Sequence, residues 1–316
     1  MVTNKNSLVC NRSVCPVCSS KNRTILFSTP HSSPGFLDFI KFEQYYGASF
    51  YDGYHNGLLK ELVFEMAECN DCHFIYLTEV LSDTGMGLLY NEWLDKEMLK
   101  VHYSKIPYST YQETIVSCMK KHFRKKSPVT LMDFGAGYGN FCSMATKAGF
   151  NTYAFDLSAD KNDHMNGMGV TIINNLDRYK NHFHFIWVNQ VFEHLSDPLG
   201  VVKQLQQSLT DDGLIFIAVP DCTPVKQILG KQGLSHDLFR LISPHQHING
   251  FTNSTLKLLG IKSGLRPLRL LDFFSLYNAK LNLSELKLLV KKTIKNSGAS
   301  TGLFFKKNNA WMPAAV

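Results

Sequence analysis

The stretch LMDFGAGYGNFCSMATKAGF, residues 131–150, constrains the fold of this chain more than any other. An apolar run enters Asp133 and then Gly135, Ala136, Gly137 and Gly139. A segment with Phe141, Met144, Ala145 and Ala148 on one helical face follows, ended by Gly149. Glycines suit this position because the chain has to turn sharply from strand to helix while its backbone approaches a ligand more closely than a Cβ allows. A strand, glycine turn and helix in this order predict a Rossmann-like, doubly wound α/β sheet that binds its ligand beyond the carboxyl ends of its strands.

The flanking sequence extends the pattern. Apolar runs at Val129–Phe134, Thr152–Phe155, Val170–Ile173, Phe185–Val188 and Leu214–Val219 alternate with amphipathic segments, as βα units feeding a parallel sheet do. Asp197 and Pro198 predict a helix start, with Leu199, Val202, Leu205 and Leu209 as its buried stripe. Further on we expect a helix near Ser254–Ser263, a strand at Leu268–Phe274, a helix at Leu283–Lys295 and a final strand at Gly302–Phe305. The sheet then has about seven strands. Upstream, Ser82 or Asp83 is a helix cap, and helical spacing continues through Tyr111, Ile115, Met119 and Phe123. The linear organisation is therefore a segment at 1–80, marked as zinc-binding by two CxxC pairs, a helical cover at 81–127 and a Rossmann-like domain at 128–316.

The glycines are spaced GxGxG, whereas the dinucleotide fingerprint places Gly or Ala where Asn140 stands. That disfavours an NAD-dependent oxidoreductase. Asp133 is placed to help hold an amino-acid-like ligand. Asp156, nineteen residues beyond Gly137, is placed to accept ribose hydroxyl protons. The segment FHFIWVNQVFEHLSDP then sets Asn189, Gln190, Glu193 and His194 just past a buried strand, where a reacting group belongs.

With LMDFGAGYGNF, AFDLS, WVNQVFEHLSDP, DDGLIFIAVPD and HQHINGFTNSTLKLLGIKSGL, the chain resembles class I S-adenosylmethionine-dependent methyltransferases of the methyltransferase-23 type. Some of these carry an N-terminal zinc-binding segment and methylate sugars or other small metabolites. The resemblance implies that Gly135, Gly137 and Gly139 wrap the methionine and ribose portions of S-adenosylmethionine, that Asp156 holds the ribose, and that Leu157 packs on the adenine. It further implies that Asn174 or Asn175 faces the adenine edge and that Asn189 and Gln190 lie beside the sulfonium. Glu193 and His194 match the Glu-His pair that faces the acceptor in related sugar methyltransferases. The family often has Asp where His184 stands, so any role of that carboxylate is absent here.

The chemistry is consistent with these parts. A sulfonium methyl is already activated, and positioning of a nucleophile is worth up to ~7–11 kcal/mol. His194 is a candidate base, because an unperturbed imidazole titrates near neutrality. His245 and His247, in the His-rich loop at 243–252, are second candidates for substrate contact, whereas Phe251 reads as packing beside the cap Thr252.

Cys15 and Cys18, with Cys69 and Cys72, form two CxxC pairs separated by 50 residues. All-cysteine ligation suits a structural zinc ion with no open coordination position. A zinc knuckle on a chain of net charge +7 keeps an RNA methyltransferase in view as an alternative. Against it, no Asp/Asn-Pro-Pro-Tyr motif and no cysteine follow the fourth strand. A small or sugar-like acceptor is therefore expected, with a catalytically silent cofactor-binding scaffold as the other reading. No apolar run reaches the roughly 18 residues of a membrane span, and the N-terminus lacks an apolar signal core, so a cytoplasmic location is expected.

Overall fold

The computed structural model describes residues 8–55, 61–104, 110–269, 272 and 300–308. The chain forms two compact units. One comprises Met1–Lys105, Phe192–Pro198 and Pro220–Thr255, and the other Ile106–Val191, Leu199–Val219 and Leu256–Val316.

In the first unit, β1 (Val9–Asn11) pairs antiparallel with β5 (Glu79–Leu81). A separate antiparallel sheet has the order β11 (Asn249–Gly250), β4 (Ile75–Leu77), β3 (Val63–Cys69), β2 (Arg23–Pro30). Between β2 and β3 the chain forms two short helices, Pro34–Ile40 and Ala48–His55. Ser33 caps the first, its Oγ accepting from the Phe36 amide at 3.3 Å, and Pro34 follows where a missing N–H costs nothing. Phe36, Phe39, Phe50, Phe64, Met66 and Trp93 are buried together in this unit's core.

The second unit is built on a seven-stranded sheet. Its strands are β6 (Thr130–Phe134), β7 (Asn151–Phe155), β8 (Thr171–Ile172), β9 (Phe183–Asn189), β10 (Leu209–Pro220), β12 (Leu265–Pro267) and β13 (Ser300–Lys307). The spatial order is β12-β13-β10-β9-β6-β7-β8. Parallel pairing joins β10 to β9, β9 to β6, β6 to β7 and β7 to β8, and the final strand β13 pairs antiparallel with β12. The order reverses beside β6, which places a switch-point crevice at the glycine turn that follows it. Ile115 and Met119 of the helix Thr110–His122, with Phe123 just past its end, pack on Leu131, Phe185 and Phe216. Trp187 stacks on Phe141 at 4.4 Å and on Phe216 at 4.8 Å. Each such large apolar side chain contributes about 1.5–3 kcal/mol on burial, so β6 and β9 are held firmly enough to aim the loops that leave them.

The helices anticipated at Ser82 and Pro198 begin there, as Asp83–Leu88 and Pro198–Ser208. The strand expected at Leu268–Phe274 lies earlier, at Leu265–Pro267. Gly264, at φ +84°, closes the helix Asn253–Lys262, the strand starts at the next residue, and Pro267 ends it because it has no N–H to donate. Residues 270, 271, 273 and 274 and the helix expected at Leu283–Lys295 lie outside the described residues.

Candidate functional site

In the second unit the turn after β6 has the backbone that its glycines foretold. Gly135, Gly137 and Gly139 all have positive φ, at +80°, +56° and +75°. A Cβ on Gly135 would collide with the Val191 side chain, and one on Gly139 would meet Met165 Cγ at 2.6 Å. A Cβ on Gly137 would meet nothing within 4 Å, so the space above it is open to a ligand. Gly135 and Ala136 donate to the Phe155 carbonyl at 2.7 and 3.1 Å, which ties the turn to the end of β7.

Asp156 lies beneath this turn. Its Oδ2 accepts from the Gly137 amide at 2.8 Å and its Oδ1 from the Ser158 amide at 3.0 Å, while Lys161 Nζ is 3.7 Å from Oδ1. A carboxylate has about four acceptor positions, so Asp156 keeps capacity for hydroxyl donors. Leu157, next along, is 77% exposed, an apolar side chain in solvent beside the turn. Asn174, Asn175, Asn189 and Gln190 are exposed as well. Gln190 leaves β9 at φ +57° and donates its amide to the Ala218 carbonyl at 2.8 Å. Asp133 is buried, receives the Cys142 thiol at 3.4 Å, and has its carboxyl pushed up to about 7 by burial. His184 pairs with Thr130 instead, its Nδ1 lying 2.8 Å from Thr130 Oγ1. Open space over Gly137, an acceptor carboxylate below it and an exposed apolar side chain beside it fit an adenosine-bearing cofactor.

The first unit holds the other candidates. Glu193 is fully buried on a short turn, Phe192–His194, and neither carboxylate oxygen has a hydrogen-bond partner. Burial pushes its carboxyl up to about 8. His194 Nε2 lies 3.9 Å from Glu193 Oε1, and the His247 ring is 5.0 Å from the His194 ring. Burial pulls His247 down to about 4, so its imidazole is neutral at pH 7. His245 is placed differently. It is buried, with Nδ1 2.9 Å from the Tyr46 hydroxyl and its ring edge-on to Phe50. Phe251 is fully buried with its ring 4.7 Å from Phe74, the packing residue its sequence context suggested.

Two residues that the sequence reading passed over organise this turn. Asn249 Nδ2 donates to the carbonyls of Phe192 and Leu195 at 2.9 and 2.7 Å, and the Ile248 amide donates to the Glu193 carbonyl at 2.8 Å. Arg12, buried, donates from Nη1 to Asn249 Oδ1 at 2.7 Å and from Nη2 to the Ile248 carbonyl at 2.8 Å. Nothing in the local sequence signals Arg12, since its guanidinium partners lie 65 to 237 residues away; Asn249 at least sits within the HQHINGF motif.

The cysteine pairs converge. Cys15 Sγ is 3.6 Å from Cys72 Sγ and Cys18 Sγ is 3.5 Å from Cys69 Sγ, with all four sulfurs within 4.8 Å of one another. Both knuckles use one backbone design. Ser19 and His73, at φ +62° and +60°, donate to the carbonyls of Cys15 and Cys69 at 2.9 and 2.8 Å. Tetrahedral ligation at the usual Zn–S length of about 2.3 Å separates sulfurs by about 3.8 Å, so donor set and spacing both suit zinc.

A family model described as a methyltransferase domain, methyltransferase-23, matches residues 109–270, just over half of the chain. The chain belongs to this family. The methyltransferase shares its fold with the plantazolicin methyltransferase BamL, solved with a triazolic desmethylPZN analog and S-adenosylhomocysteine, at 18% identity and a TM-score of 0.51 over 71% of this chain and 95% of that one. It is also similar to the Burkholderia thailandensis 1,6-didemethyltoxoflavin-N1-methyltransferase, at 13% identity and a TM-score of 0.44 over 72% and 87% of the respective chains. No curated protein matches its sequence. It is an S-adenosylmethionine-dependent methyltransferase. No helix among its described residues is long and apolar enough to cross a membrane.

Proposed function

We propose that the methyltransferase acts on a small, sugar-like acceptor, such as a sugar, nucleotide-sugar or polysaccharide precursor, with Glu193 and His194 facing the acceptor. The observation that carries this reading is Glu193: a completely buried carboxyl with both oxygens unpartnered, on the turn just past the fourth strand of the matched domain. A buried polar group normally finds a partner, and a hydroxyl-bearing substrate supplies one.

When bound, S-adenosylmethionine supplies an activated methyl group. Gly135, Ala136, Gly137 and Gly139 cradle it, with Asp133 behind the turn. Asp156 takes the ribose hydroxyls, Leu157, Asn174 and Asn175 take the adenine, and Asn189 and Gln190 take the region of the sulfonium. His194 removes the acceptor's proton as the new bond forms. Cys15, Cys18, Cys69 and Cys72 hold a structural zinc ion, for which the paired knuckles and the sulfur spacing speak.

The test is His194→Ala. Loss of a general base is expected to lower turnover by about 10²–10⁴-fold. S-adenosylmethionine affinity, measured by calorimetry, is expected to stay at the wild-type value. Wild-type turnover in the variant removes His194 from the chemistry. Release of S-adenosylhomocysteine with RNA and not with any small hydroxylated acceptor overturns the acceptor class.

A further inference from the structure

Glu193, His194 and His247 each present a ligand atom within 4.8 Å of the other two. Two features set this group apart from a chance meeting of side chains. Glu193 is fully enclosed, yet both of its carboxylate oxygens lack a hydrogen-bond partner. His247 is fixed in place: its amide donates to Ser243 Oγ at 3.0 Å, its carbonyl accepts from the Ser243 amide at 3.1 Å, and its ring Nδ1 lies 3.1 Å from the Arg240 carbonyl. Since a carbonyl only accepts, Nδ1 carries the proton and Nε2 is left with a free lone pair. A histidine whose outer nitrogen donates to a backbone carbonyl is the arrangement that orients imidazole ligands on metals. The backbone beneath Glu193 is pinned too, by the Ile248 amide and the Asn249 side chain.

We propose that Glu193, His194 and His247 form a second metal site, separate from the cysteine cluster, that binds one divalent transition-metal ion. Two imidazoles and one carboxylate are a known set for such ions, and three protein ligands leave coordination positions open. At metal–ligand lengths of about 2.1 Å, neighbouring donors lie about 3.4 Å apart. The 3.9 Å between His194 Nε2 and Glu193 Oε1 is within a small side-chain rotation of that separation. His194 is partly exposed while Glu193 is enclosed, so the open positions face the His194 side. This rests on the reading of the 193–194 turn as the acceptor site and deepens it. The open positions select an acceptor that offers an oxygen ligand, a hydroxyl or keto group. An ion there lowers the hydroxyl's pKa as a Lewis acid, and His194 then promotes loss of the acceptor's proton as a ligand of that ion, in place of acting as a free base.

The probe is Mn2+, a hard ion that prefers nitrogen and oxygen donors to thiolates and so spares the cysteine cluster. Titration of the full-length protein, followed by loss of the free Mn2+ electron paramagnetic resonance signal, is expected to count one ion per chain. Glu193→Gln and His247→Gln are each expected to weaken uptake by about tenfold or more. Unchanged calorimetric affinity for S-adenosylmethionine in both variants reports that they are folded. The proposal is overturned if wild-type protein takes up no Mn2+ and elemental analysis finds no metal beyond that held by the cysteines. It is equally overturned if both variants bind Mn2+ as the wild type does. Failure of the acceptor-site reading registers elsewhere, as wild-type turnover by His194→Ala, so the two results are separable.

Discussion

Asp133 shows at the scale of one residue how burial sets a pH dependence. Its carboxyl is raised to about 7 in the folded protein, first by burial, then by the Asp156 charge, against the help of the Cys142 thiol. In an unfolded chain the same group titrates near about 3.9. Folding therefore strengthens its hold on the proton. The stability this contributes is complete below about pH 4 and is lost as the pH rises through about 7. Asp133→Asn removes the titration while keeping an acceptor for Cys142. Without cofactor, the melting temperature of the variant is expected to gain on that of the wild type from about pH 5 to about pH 8. Parallel profiles would mean that Asp133 is not enclosed as described. Glu193 was legible in the sequence as a residue after a buried strand. The isolation of its two carboxylate oxygens from hydrogen-bond partners was not, because that depends on what the chain folds around them.

At the scale of elements, the turn from β6 into the helix Asn140–Lys147 separates two jobs that glycine performs. Gly139 has to be glycine for packing, with Met165 Cγ 2.6 Å and Sδ 2.9 Å from where its Cβ would be. Gly137 has space around it, so only its left-handed backbone and an arriving ligand restrict it. Gly137→Ala is expected to fold with a penalty of about 1–2 kcal/mol and to lose S-adenosylmethionine binding. Gly139→Val is expected to be less stable than Gly137→Ala, since a branched side chain meets both the backbone strain and Met165. Thermal melting and calorimetry together check this, and equal melting temperatures would contradict it. These βα elements were legible because glycine spacing and apolar periodicity are local signals. The antiparallel sheet of β2, β3, β4 and β11 was not. β2 has no fully buried residue and is bulged between Ile25 and Phe27, which breaks its alternation, and β11 is only two residues long. Helices of seven and eight residues in 34–55 are likewise too short to show a sustained period.

At the scale of the whole molecule, the division 1–80, 81–127 and 128–316 read along the chain gives no hint that 192–198 and 220–255 fold with the N-terminal unit. That interleaving gives the cysteine cluster a bearing on the 192–195 turn. Arg12 is three residues before Cys15 and buried, and burial lowers its pKa to about 10, yet the hydrogen bonds of its guanidinium end on carbonyls and an amide. Four thiolates around a divalent ion carry a net double negative charge, which offsets an enclosed cation nearby. From Arg12 the hydrogen bonds run to Asn249 and on to the carbonyls of Phe192 and Leu195. If zinc fills the cluster as proposed, removing it with a chelator takes away both the cross-link between the two knuckles and the charge that favours Arg12. Hydrogen exchange is expected to accelerate at the amides of Cys15, Cys69, Leu77 and Ile248, all bonded within this unit. The amides of β6 and β9 are expected to keep their protection, since no cysteine ligand touches that sheet's hydrogen-bond ladder. Uniform acceleration throughout the protein would show that the metal stabilises the chain as one cooperative block. No acceleration at all would show that the four sulfurs hold the knuckles together without an ion.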